Sequence, residues 1–429
     1  MITLPPPGRA FASDNAAGVH PAVMAAMTDA NVGHALAYGD DRWTAETEAR
    51  FRDLFGADVS TLLVWNGTGA NVTALASMLG PAQAIICTNW SHINVDETGA
   101  PERILGAKLI DLDCPDGKLV PAQIEEQAHA LGDMHHAQPG VVSLTQSTEL
   151  GTAYTADEVA ALCETAHRLG MSVHVDGARL ANAVAAQGAS IPALRAMTID
   201  AGVDVLTFGA TKNGMMYGEA VIYLTDRFAP VGPFVRKQVT QLPSKMRFVA
   251  AQMNALLTDD LWLDLARHSN LMARRLYDAT ANIEGVLYDA PPVVNSVFPR
   301  LPAESIQPLR DWCFFWDWSV PVNQVRWMTA WDTTEADVAM FSAGVRQLLG
   351  GPERVSGAGR GDGLVEPLAA GVFGERVAED GLTRPRQPFG GRDEIEVGAP
   401  DDADVESGSR RGTQERLSLL REHARRSVQ

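Results

Sequence analysis

The chain has 429 residues and a formal net charge of −18, from 35 lysines and arginines against 53 aspartates and glutamates. Such an acidic surface repels phosphate backbones and anionic lipids, so binding to nucleic acid or to a membrane surface is not expected. Hydrophobic residues make up 46% and charged residues 21%, which is ordinary globular usage and excludes a wholly disordered chain.

Targeting and ligand-spacing signals favour a cytoplasmic protein without a metal. The four cysteines lie far apart with no CxxC pair, so neither a zinc cluster nor a disulfide framework is expected. The N-terminus has three prolines where a signal peptide needs an apolar run, and no apolar stretch of about 18 residues occurs. No HxxxH or similar metal-ligand spacing follows a predicted strand.

Short apolar runs alternate with amphipathic segments from about residue 62 to residue 224. The runs predict seven strands, which begin near residues 62, 84, 108, 140, 172, 204 and 218. Helical spacing predicts helices over 121–131 and 155–170, the second with a capping box of Thr155 and Glu158. This alternation predicts an α/β fold with a mainly parallel sheet, whose ligands bind at the carboxyl ends of the strands.

The remaining segments suggest how the chain divides into domains. Helices are predicted over 226–284, with a long one at 259–283, followed by short strands and a last helix at 334–349. The expected parts are an N-terminal arm (1–20), a large domain (21–284), a small α+β domain (285–351) and a tail (352–429). The tail is rich in glycine, proline and mixed charge. It is predicted to be disordered, or non-native if a frameshift produced its lysine-free sequence.

The pattern that carries chemistry is an aspartate and a lysine just after two predicted strands. Asp176 lies in 174-HVDGAR and Lys212 lies in 207-TFGATKNG. These residues suit pyridoxal 5′-phosphate (PLP), because a lysine amine forms a Schiff base with its aldehyde and an aspartate pairs with its ring nitrogen. Of the five lysines in the chain, Lys212 alone is flanked by a strand and small residues. The spacing by itself also allows a solvated loop lysine and an aspartate that merely ends a strand.

A glycine-rich turn, 66-NGTGANVTAL, follows the first predicted strand. Gly67 and Thr68 open what the pattern predicts to be a helix, so free backbone N–H groups and a hydroxyl can hold a phosphate there. Thr211, beside the lysine, could add a further phosphate contact. Many structural turns share this composition, so the turn supports a cofactor site only together with Asp176 and Lys212.

These segments, with 11-FASDNAAGVHPAVMAAM and 38-YGDDRWTAETEARFRDLFG, resemble the low-specificity L-threonine aldolase family of fold-type I PLP enzymes. The resemblance covers residues 11–350 in collinear order. It implies a large PLP domain with a mainly parallel sheet, a small C-terminal domain, and a homotetramer with active sites at a subunit interface. It also implies retro-aldol cleavage of L-threonine, L-allo-threonine or related β-hydroxy-α-amino acids, including β-phenylserine, to glycine and an aldehyde.

The resemblance also implies roles for residues that would otherwise count as loop or surface side chains. His92, in 89-NWSHINVDETGA, would stack on the cofactor ring and act as a base, unless a bound water does so. Arg179, which also belongs to the cofactor site, and Arg326 would bind the substrate carboxylate. The other implied contacts are Lys212, Asp176, Gly67 and Thr68 to the cofactor, Ser13 to the substrate, Tyr38 from a neighbouring subunit, and Lys245 to a phosphate across the interface.

One stretch departs from the family pattern. Many members have Asn-Thr-His-Asn-Gly where this chain has 144-LTQSTELGTAY, which contains no histidine. The form is similar to a subgroup of bacterial aldolases active on threonine and β-phenylserine. Thr148 or Glu149 would then lie near the departing aldehyde, and the group that takes the hydroxyl proton stays open.

Two other functions remain open at this point. The same scaffold supports β-elimination and transamination, because the cofactor chemistry is shared and only the substrate's orientation selects the bond that breaks. A PLP-free, non-catalytic interaction protein is the alternative from another class. Glycine plus aldehyde as products, without ammonia or a keto acid, would single out the aldolase.

Overall fold

The computed structural model of the protein describes residues 2–350, and the predicted tail at 352–429 lies outside these residues. The seven strands of the larger sheet are β1 (Ser60–Val64), β2 (Gln83–Thr88), β3 (Lys108–Leu112), β4 (Gln138–Thr145), β5 (Ser172–Gly177), β6 (Val205–Phe208) and β7 (Glu219–Tyr223). All seven strands predicted from the apolar runs are therefore confirmed.

The larger sheet is mixed but mainly parallel, as predicted. Its strand order is β1-β7-β6-β5-β4-β2-β3, and only β7 runs antiparallel to its neighbours. The other six strands therefore end at the same edge of the sheet. Strands β5 and β6 are adjacent, with Asp176 opposite Thr207 in the register. The segments that follow β1, β2, β4, β5 and β6 can thus build one site.

Helices cover both faces of this sheet and the second sheet. They are α1 (Pro21–Ala30), α2 (Arg42–Phe55), α3 (Gly67–Met78), α4 (His92–Val95), α5 (Ala100–Leu105), α6 (Pro121–Glu126), α7 (Ala156–Arg168), α8 (Leu180–Ala186), α9 (Ile191–Ala196), α10 (Gly232–Gln238), α11 (Arg247–Leu257), α12 (Leu261–Thr280), α13 (Ala303–Trp312) and α14 (Glu335–Leu349). Over the described residues, no helix combines the length and apolar composition that crossing a bilayer requires.

The apolar side chains of the larger sheet are buried on both faces. Along β4, Val142 and Leu144 pack in one cluster with residues of α7 and α11, whereas Val141 packs in another cluster with residues of α3. Burial on both faces explains why the strands are continuous apolar runs instead of alternating ones. The sheet is consequently a rigid platform for the loops at its edge.

A second, antiparallel sheet has its own core. Its strands are β8 (Ser296–Val297), β9 (Trp316–Ser319) and β10 (Gln324–Met328), in the order β8-β10-β9. Buried Phe11, Trp327 and Phe341 belong to one cluster there, and the backbone N–H of Met328 donates to the carbonyl of Phe11 at 2.9 Å. The N-terminal segment is thereby fixed beside β10. The domain boundary expected after residue 284 remains a prediction.

Helix starts follow local chemistry. The Thr155 hydroxyl accepts from the backbone N–H of Glu158 at 3.2 Å, and the Glu158 carboxylate accepts from the Thr155 N–H at 2.8 Å, so the predicted capping box is confirmed. The long helix begins at Leu261, two residues later than predicted, because Asp259 and Asp260 have φ values of 50° and 56°. The segment predicted as a helix over 121–131 ends as a 3₁₀ turn (Gln127–Ala130).

Candidate active site

Asp176 and Lys212 come together because their strands are neighbours. Asp176 ends β5 and is buried, with Oδ2 accepting from Asn71 Nδ2 at 2.8 Å and Oδ1 from the backbone N–H of Ala178 at 2.9 Å. Lys212 lies in a 3₁₀ turn (Thr211–Asn213) directly after β6. An acceptor and an amine therefore face the same edge of the sheet.

The side-chain amine of Lys212 is unpaired in the described chain. It is half-buried and makes no hydrogen bond or ion pair to any other residue of the described chain. Burial lowers its pKa, the nearby Arg179 guanidinium lowers it further, and the carboxylates of Asp14 and Asp176 oppose the shift. A lowered pKa increases the fraction of neutral amine, which is the nucleophilic form.

Two glycines allow the loops after β5 and β6 to touch. The backbone N–H of Gly209 donates to the carbonyl of Gly177 at 3.0 Å. A Cβ atom at Gly209 would lie 2.5 Å from the carbonyl oxygen of Ala178, and one at Gly177 would overlap the carbonyl oxygen of Thr207. Any larger residue would therefore push the Asp176 loop away from the Lys212 loop.

The turn after β1 forms an open cradle at the start of α3. Asn66 caps the helix by accepting from the Gly69 N–H at 2.8 Å, and within the described range the N–H groups of Gly67 and Thr68 have no partner. The space beside Gly67 is empty, whereas a Cβ at Gly69 would overlap the side chain of Gln241. The Thr211 hydroxyl lies 3.4 Å from the Gly218 carbonyl, and Thr211 also donates to the Glu219 carboxylate. Free N–H groups at a helix start suit an anion such as phosphate.

His92 is held through both its backbone and its ring. Its backbone N–H donates to Glu149 Oε1 at 2.7 Å, and its Nδ1 lies 2.9 Å from Glu97 Oε1. The hydrogen bond to Glu97 raises the pKa of His92 against the opposing effect of burial, and Asp176 raises it further. The ring is partly exposed although the Glu97 carboxylate is completely buried. His92 is thus a positioned, titratable group at the sheet edge.

The loop after β4 contributes a carboxyl group rather than a histidine. Burial raises the pKa of Glu149 to about 7, against the hydrogen bonds that it accepts, and nearby Asp176 adds to the shift. Its Oε2 atom is buried without a hydrogen-bond partner in the described structure. The Thr148 hydroxyl instead lies 2.7 Å from the Thr152 hydroxyl inside the same loop.

Two arginines lie on the side of the site formed by the N-terminal segment and β10. Asp14 accepts from Arg179 Nε at 2.7 Å and from Arg179 Nη2 at 2.9 Å. Burial opposes ionisation of Asp14, but Arg179 outweighs it and lowers the pKa of Asp14 to about 2. Arg326 Nη2 donates to the Ala12 carbonyl at 3.5 Å, and its buried Nε has no hydrogen-bond partner in the described chain.

The buried Nε of the Arg326 guanidinium is therefore free to bind an incoming carboxylate. Burial lowers the pKa of Arg326 to about 10, and the neighbouring charge of Arg179 contributes to the shift. A bound carboxylate would satisfy the free Nε of Arg326 and offset the repulsion between the two guanidinium groups. Ser13 lies directly beside this pair, with its hydroxyl accepting from the Asn15 N–H at 3.2 Å.

Tyr38 and Lys245 lie apart from these groups. Both side chains are exposed, and their segments meet where the Tyr38 N–H donates to the Ser244 carbonyl at 3.0 Å. In residues 2–350, neither side chain contacts Asp176 or Lys212. Their expected contribution from a neighbouring subunit remains a prediction.

Four residues of the site escaped the sequence reasoning: Asp14, Asn71, Glu97 and Glu219. Glu219 left a usable signal, since it is a charged residue in an otherwise apolar strand, whereas Asn71 is one of several polar residues in its helix. Glu219 Oε2 accepts from the backbone N–H of Ala210 at 2.5 Å and so holds the turn that carries Lys212. Burial raises the pKa of Glu219 to about 7.

The residues present fit PLP. The unpartnered Lys212 amine can hold the aldehyde, Asp176 has a carboxylate to offer the ring nitrogen, and the cradle at Gly67 and Thr68 has free N–H groups for the phosphate. Among the described residues, no three histidine, cysteine, aspartate or glutamate side chains are grouped so that they could hold a metal ion.

Comparison with known proteins agrees with this geometry. A family model described as β-eliminating lyase matches residues 10–302. Proteins named low specificity L-threonine aldolase from a Pseudomonas species and from Pseudomonas aeruginosa are each 42% identical to this chain; the alignments cover 79% of it and 97% and 98% of the relatives. The solved threonine aldolase of Leishmania major is 30% identical, with a TM-score of 0.74 over 80% of this chain and 99% of that one. The predicted α/β, fold-type I class is thereby confirmed.

Proposed function

The chain belongs to the β-eliminating lyase family and to its low-specificity L-threonine aldolases. From this we propose that it cleaves L-threonine, L-allo-threonine or related β-hydroxy-α-amino acids to glycine and an aldehyde, with PLP as its cofactor. The observation that carries the proposal is the joint placement of an unpartnered Lys212, the acceptor Asp176 and the arginine pair at one sheet edge.

Each group has a task in this reaction. When bound, PLP supplies an electron sink for the bond that breaks at the substrate Cα. Lys212 would hold its aldehyde, and Asp176 would accept the ring N–H. Arg179 and Arg326 would clamp the substrate carboxylate and so fix the direction of the Cα–Cβ bond. His92, or a water held by it, would take the proton of the β-hydroxyl group.

An aromatic cluster beside the arginines supports substrates with a bulky group on Cβ, such as β-phenylserine. The ring centres of Trp90 and Trp318 are 6.4 Å apart, and those of Phe298 and Trp318 are 5.1 Å apart. The Arg326 guanidinium lies 5.2 Å from the Trp318 ring centre. Trp90 is two residues before His92, so the cluster joins the segment of the proposed base to Arg326 of the proposed carboxylate clamp. An aryl group could stack there.

The alternatives are less favoured. A cofactor-free interaction protein would have no use for a half-buried lysine without a partner beside a buried aspartate. β-Elimination or transamination would use the same Lys212 and Asp176, but the arginine pair and His92 suit a substrate held by its carboxylate while its hydroxyl loses a proton. Glycine and an aldehyde as products, without ammonia or a keto acid, would separate cleavage from both.

The experiment that tests the function replaces Lys212 with alanine. Lys212→Ala should lose the visible absorbance of the lysine-bound cofactor, lose borohydride trapping at residue 212, and lose turnover of L-threonine by at least about 1,000-fold, since covalent attachment is removed. Lys108→Ala, at an exposed position of β3, is the matched control and should behave as wild type. Normal turnover by Lys212→Ala, with its absorbance band intact, would contradict the mechanism.

We also propose the finer features of assembly and location. A homotetramer with sites at subunit interfaces is supported by exposed apolar side chains on residues 32–38 and on α10. These segments meet where Lys237 Nζ lies 5.1 Å from the Tyr38 ring centre. A cytoplasmic location is supported by the four cysteines, all of which lie in the described range as free, buried thiols.

A further inference from the structure

Four side chains form a continuous hydrogen-bonded chain between His92 and the proposed partner of the cofactor ring nitrogen. His92 Nδ1 lies 2.9 Å from Glu97 Oε1, the same oxygen lies 2.9 Å from Asn71 Nδ2, and Asn71 Nδ2 lies 2.8 Å from Asp176 Oδ2. Glu97, Asn71 and Asp176 are all buried. Of the four side chains, only that of His92 is partly exposed.

The chemistry of these groups determines which atoms carry protons. The Asn71 amide nitrogen has two hydrogens, and it places them on Glu97 and Asp176, which both accept. The Asn71 carbonyl accepts from the Thr207 hydroxyl at 3.3 Å, which agrees with this orientation of the amide. Glu97 Oε1 therefore meets His92 Nδ1 as an acceptor, and Nδ1 carries the hydrogen.

We propose that Glu97 is a positioning residue of the cleavage reaction, which holds His92 in the tautomer with its proton on Nδ1 and leaves Nε2 to take the proton of the substrate β-hydroxyl group. The O–H bond of the substrate breaks and an N–H bond forms at Nε2, so the ring becomes a cation stabilised by Glu97. The electron pair on oxygen forms the C=O bond of the aldehyde as the Cα–Cβ bond breaks and leaves its electron pair with Cα. Transfer of the proton from Nε2 to Cα then gives glycine and restores the neutral ring. This inference deepens the proposed function and rests on it.

Other charged groups also act on His92. Asp176, at the end of β5, raises its pKa, whereas Lys212, in the turn after β6, and burial lower it. Glu149, in the loop after β4, accepts from its backbone N–H rather than from its ring. Glu97 is the only one of these groups that binds the ring itself. Loss of the Glu97 charge should therefore change the ring's titration more than loss of any other single charge.

The first test needs no turnover. Hydrogen–deuterium exchange at the histidine C2 position, followed by mass spectrometry over a range of pH, gives the pKa of His92 in the holoenzyme. In Glu97→Gln we expect a decrease of about one unit or more, because the ring loses a charged hydrogen-bond acceptor. Glu102→Gln, at an exposed position of α5, is the matched control and should leave it unchanged. An unchanged His92 pKa in Glu97→Gln would overturn the proposal.

The second test separates positioning from a general structural role. In Glu97→Gln the acidic limb of kcat/KM against pH for L-threonine should move to lower pH by the same amount as the His92 pKa. In a His92→Asn background, Glu97→Gln should leave both limbs of the profile of kcat/KM against pH unchanged. A shift that persists without His92 would overturn the proposal. Should Glu97→Gln fail to fold, Glu97→Asp, which withdraws the carboxylate, should give a smaller decrease in the His92 pKa, and no decrease would overturn it.

The two tests distinguish this inference from the function on which it rests. Absence of glycine and aldehyde from the wild-type enzyme would defeat the proposed function, and the histidine titration would still report whether Glu97 sets the state of His92. Cleavage of threonine together with an unshifted titration would defeat only the role of Glu97.

Discussion

Single carboxyl groups at the sheet edge make the stability of the protein depend on pH. Glu149 has a pKa raised to about 7 by burial, against an ordinary value of 4.5. Between these values the folded chain keeps a proton that the unfolded chain releases. The contribution of Glu149 to the free energy of unfolding is therefore fully present below pH 4.5. It falls as the pH rises and is lost once the pH passes about 7.

Replacement of Glu149 by glutamine should remove this pH dependence of stability. At pH 5 we expect the free energy of unfolding of Glu149→Gln to be similar to that of wild type. At pH 8 it should be higher than that of wild type by up to about 3 kcal/mol, since the amide cannot ionise. Urea unfolding at the two pH values measures the difference, with Glu102→Gln as the exposed control. A stability difference that is the same at both pH values would show that Glu149 ionises freely in the folded protein.

Two of the residues that the sequence did not reveal, Asp14 and Asn71, owe their roles to contacts that are distant along the chain. Asp14 binds Arg179 across 165 positions, and Asn71 binds Asp176 across 105. Neither pair has a periodic or local signature, because only the fold brings its members together. Lys212 and Asp176 could be found because both follow strands, and strand ends are visible as apolar runs that stop.

At the scale of elements, local patterns predicted most of the fold. The five inner strands, β2 and β4 to β7, are buried on both faces, so their apolar runs stand out from the amphipathic helices between them. The capping box at Thr155 is equally local and was equally predictable. The start of α12 could not be predicted, because Asp259 and Asp260 adopt left-handed backbone angles that their residue type does not require.

The contact between the loops after β5 and β6 should not form normally when Gly209 carries a side chain. Gly209→Ala would place a methyl group against the backbone of Ala178, which cannot move aside as a flexible side chain can. We expect a loss of about 1–3 kcal/mol in unfolding free energy. Threonine cleavage should fall at the same time, by at least about 10-fold, since displacement of Lys212 from Asp176 disturbs their alignment.

A matched glycine substitution shows whether the position matters. A Cβ atom at Gly80 would meet only the Gln83 side chain, at an ordinary 3.5 Å, so Gly80→Ala should leave both stability and turnover close to wild type. Urea unfolding and a steady-state assay of the two variants measure the contrast. Equal behaviour of Gly209→Ala and Gly80→Ala would contradict the view that glycines set the distance between the two loops.

At the scale of the whole molecule, the surface around residues 32–38 and α10 exposes large apolar side chains to solvent. Leu36 is 72% exposed and Phe234 is 71% exposed, close to the exposed Tyr38 that the family resemblance assigns to a neighbouring site. Contiguous exposed apolar side chains of this kind mark protein interfaces. The net charge of −18 disfavours contact between copies, so a specific apolar interface has to overcome it.

A charge placed in this surface should therefore separate the subunits. Phe234→Glu removes about 1.5–3 kcal/mol of apolar burial from each copy and adds a carboxylate that must be desolvated, so we expect association at least about 100-fold weaker. Sedimentation velocity over a range of concentrations measures this. Met134→Glu, at an 89% exposed loop position, is the control and should assemble as wild type does. Because Tyr38 and Lys245 are proposed to serve the neighbouring site, turnover should fall in parallel with dissociation, and full activity in a monomeric Phe234→Glu would show that each chain builds its site alone.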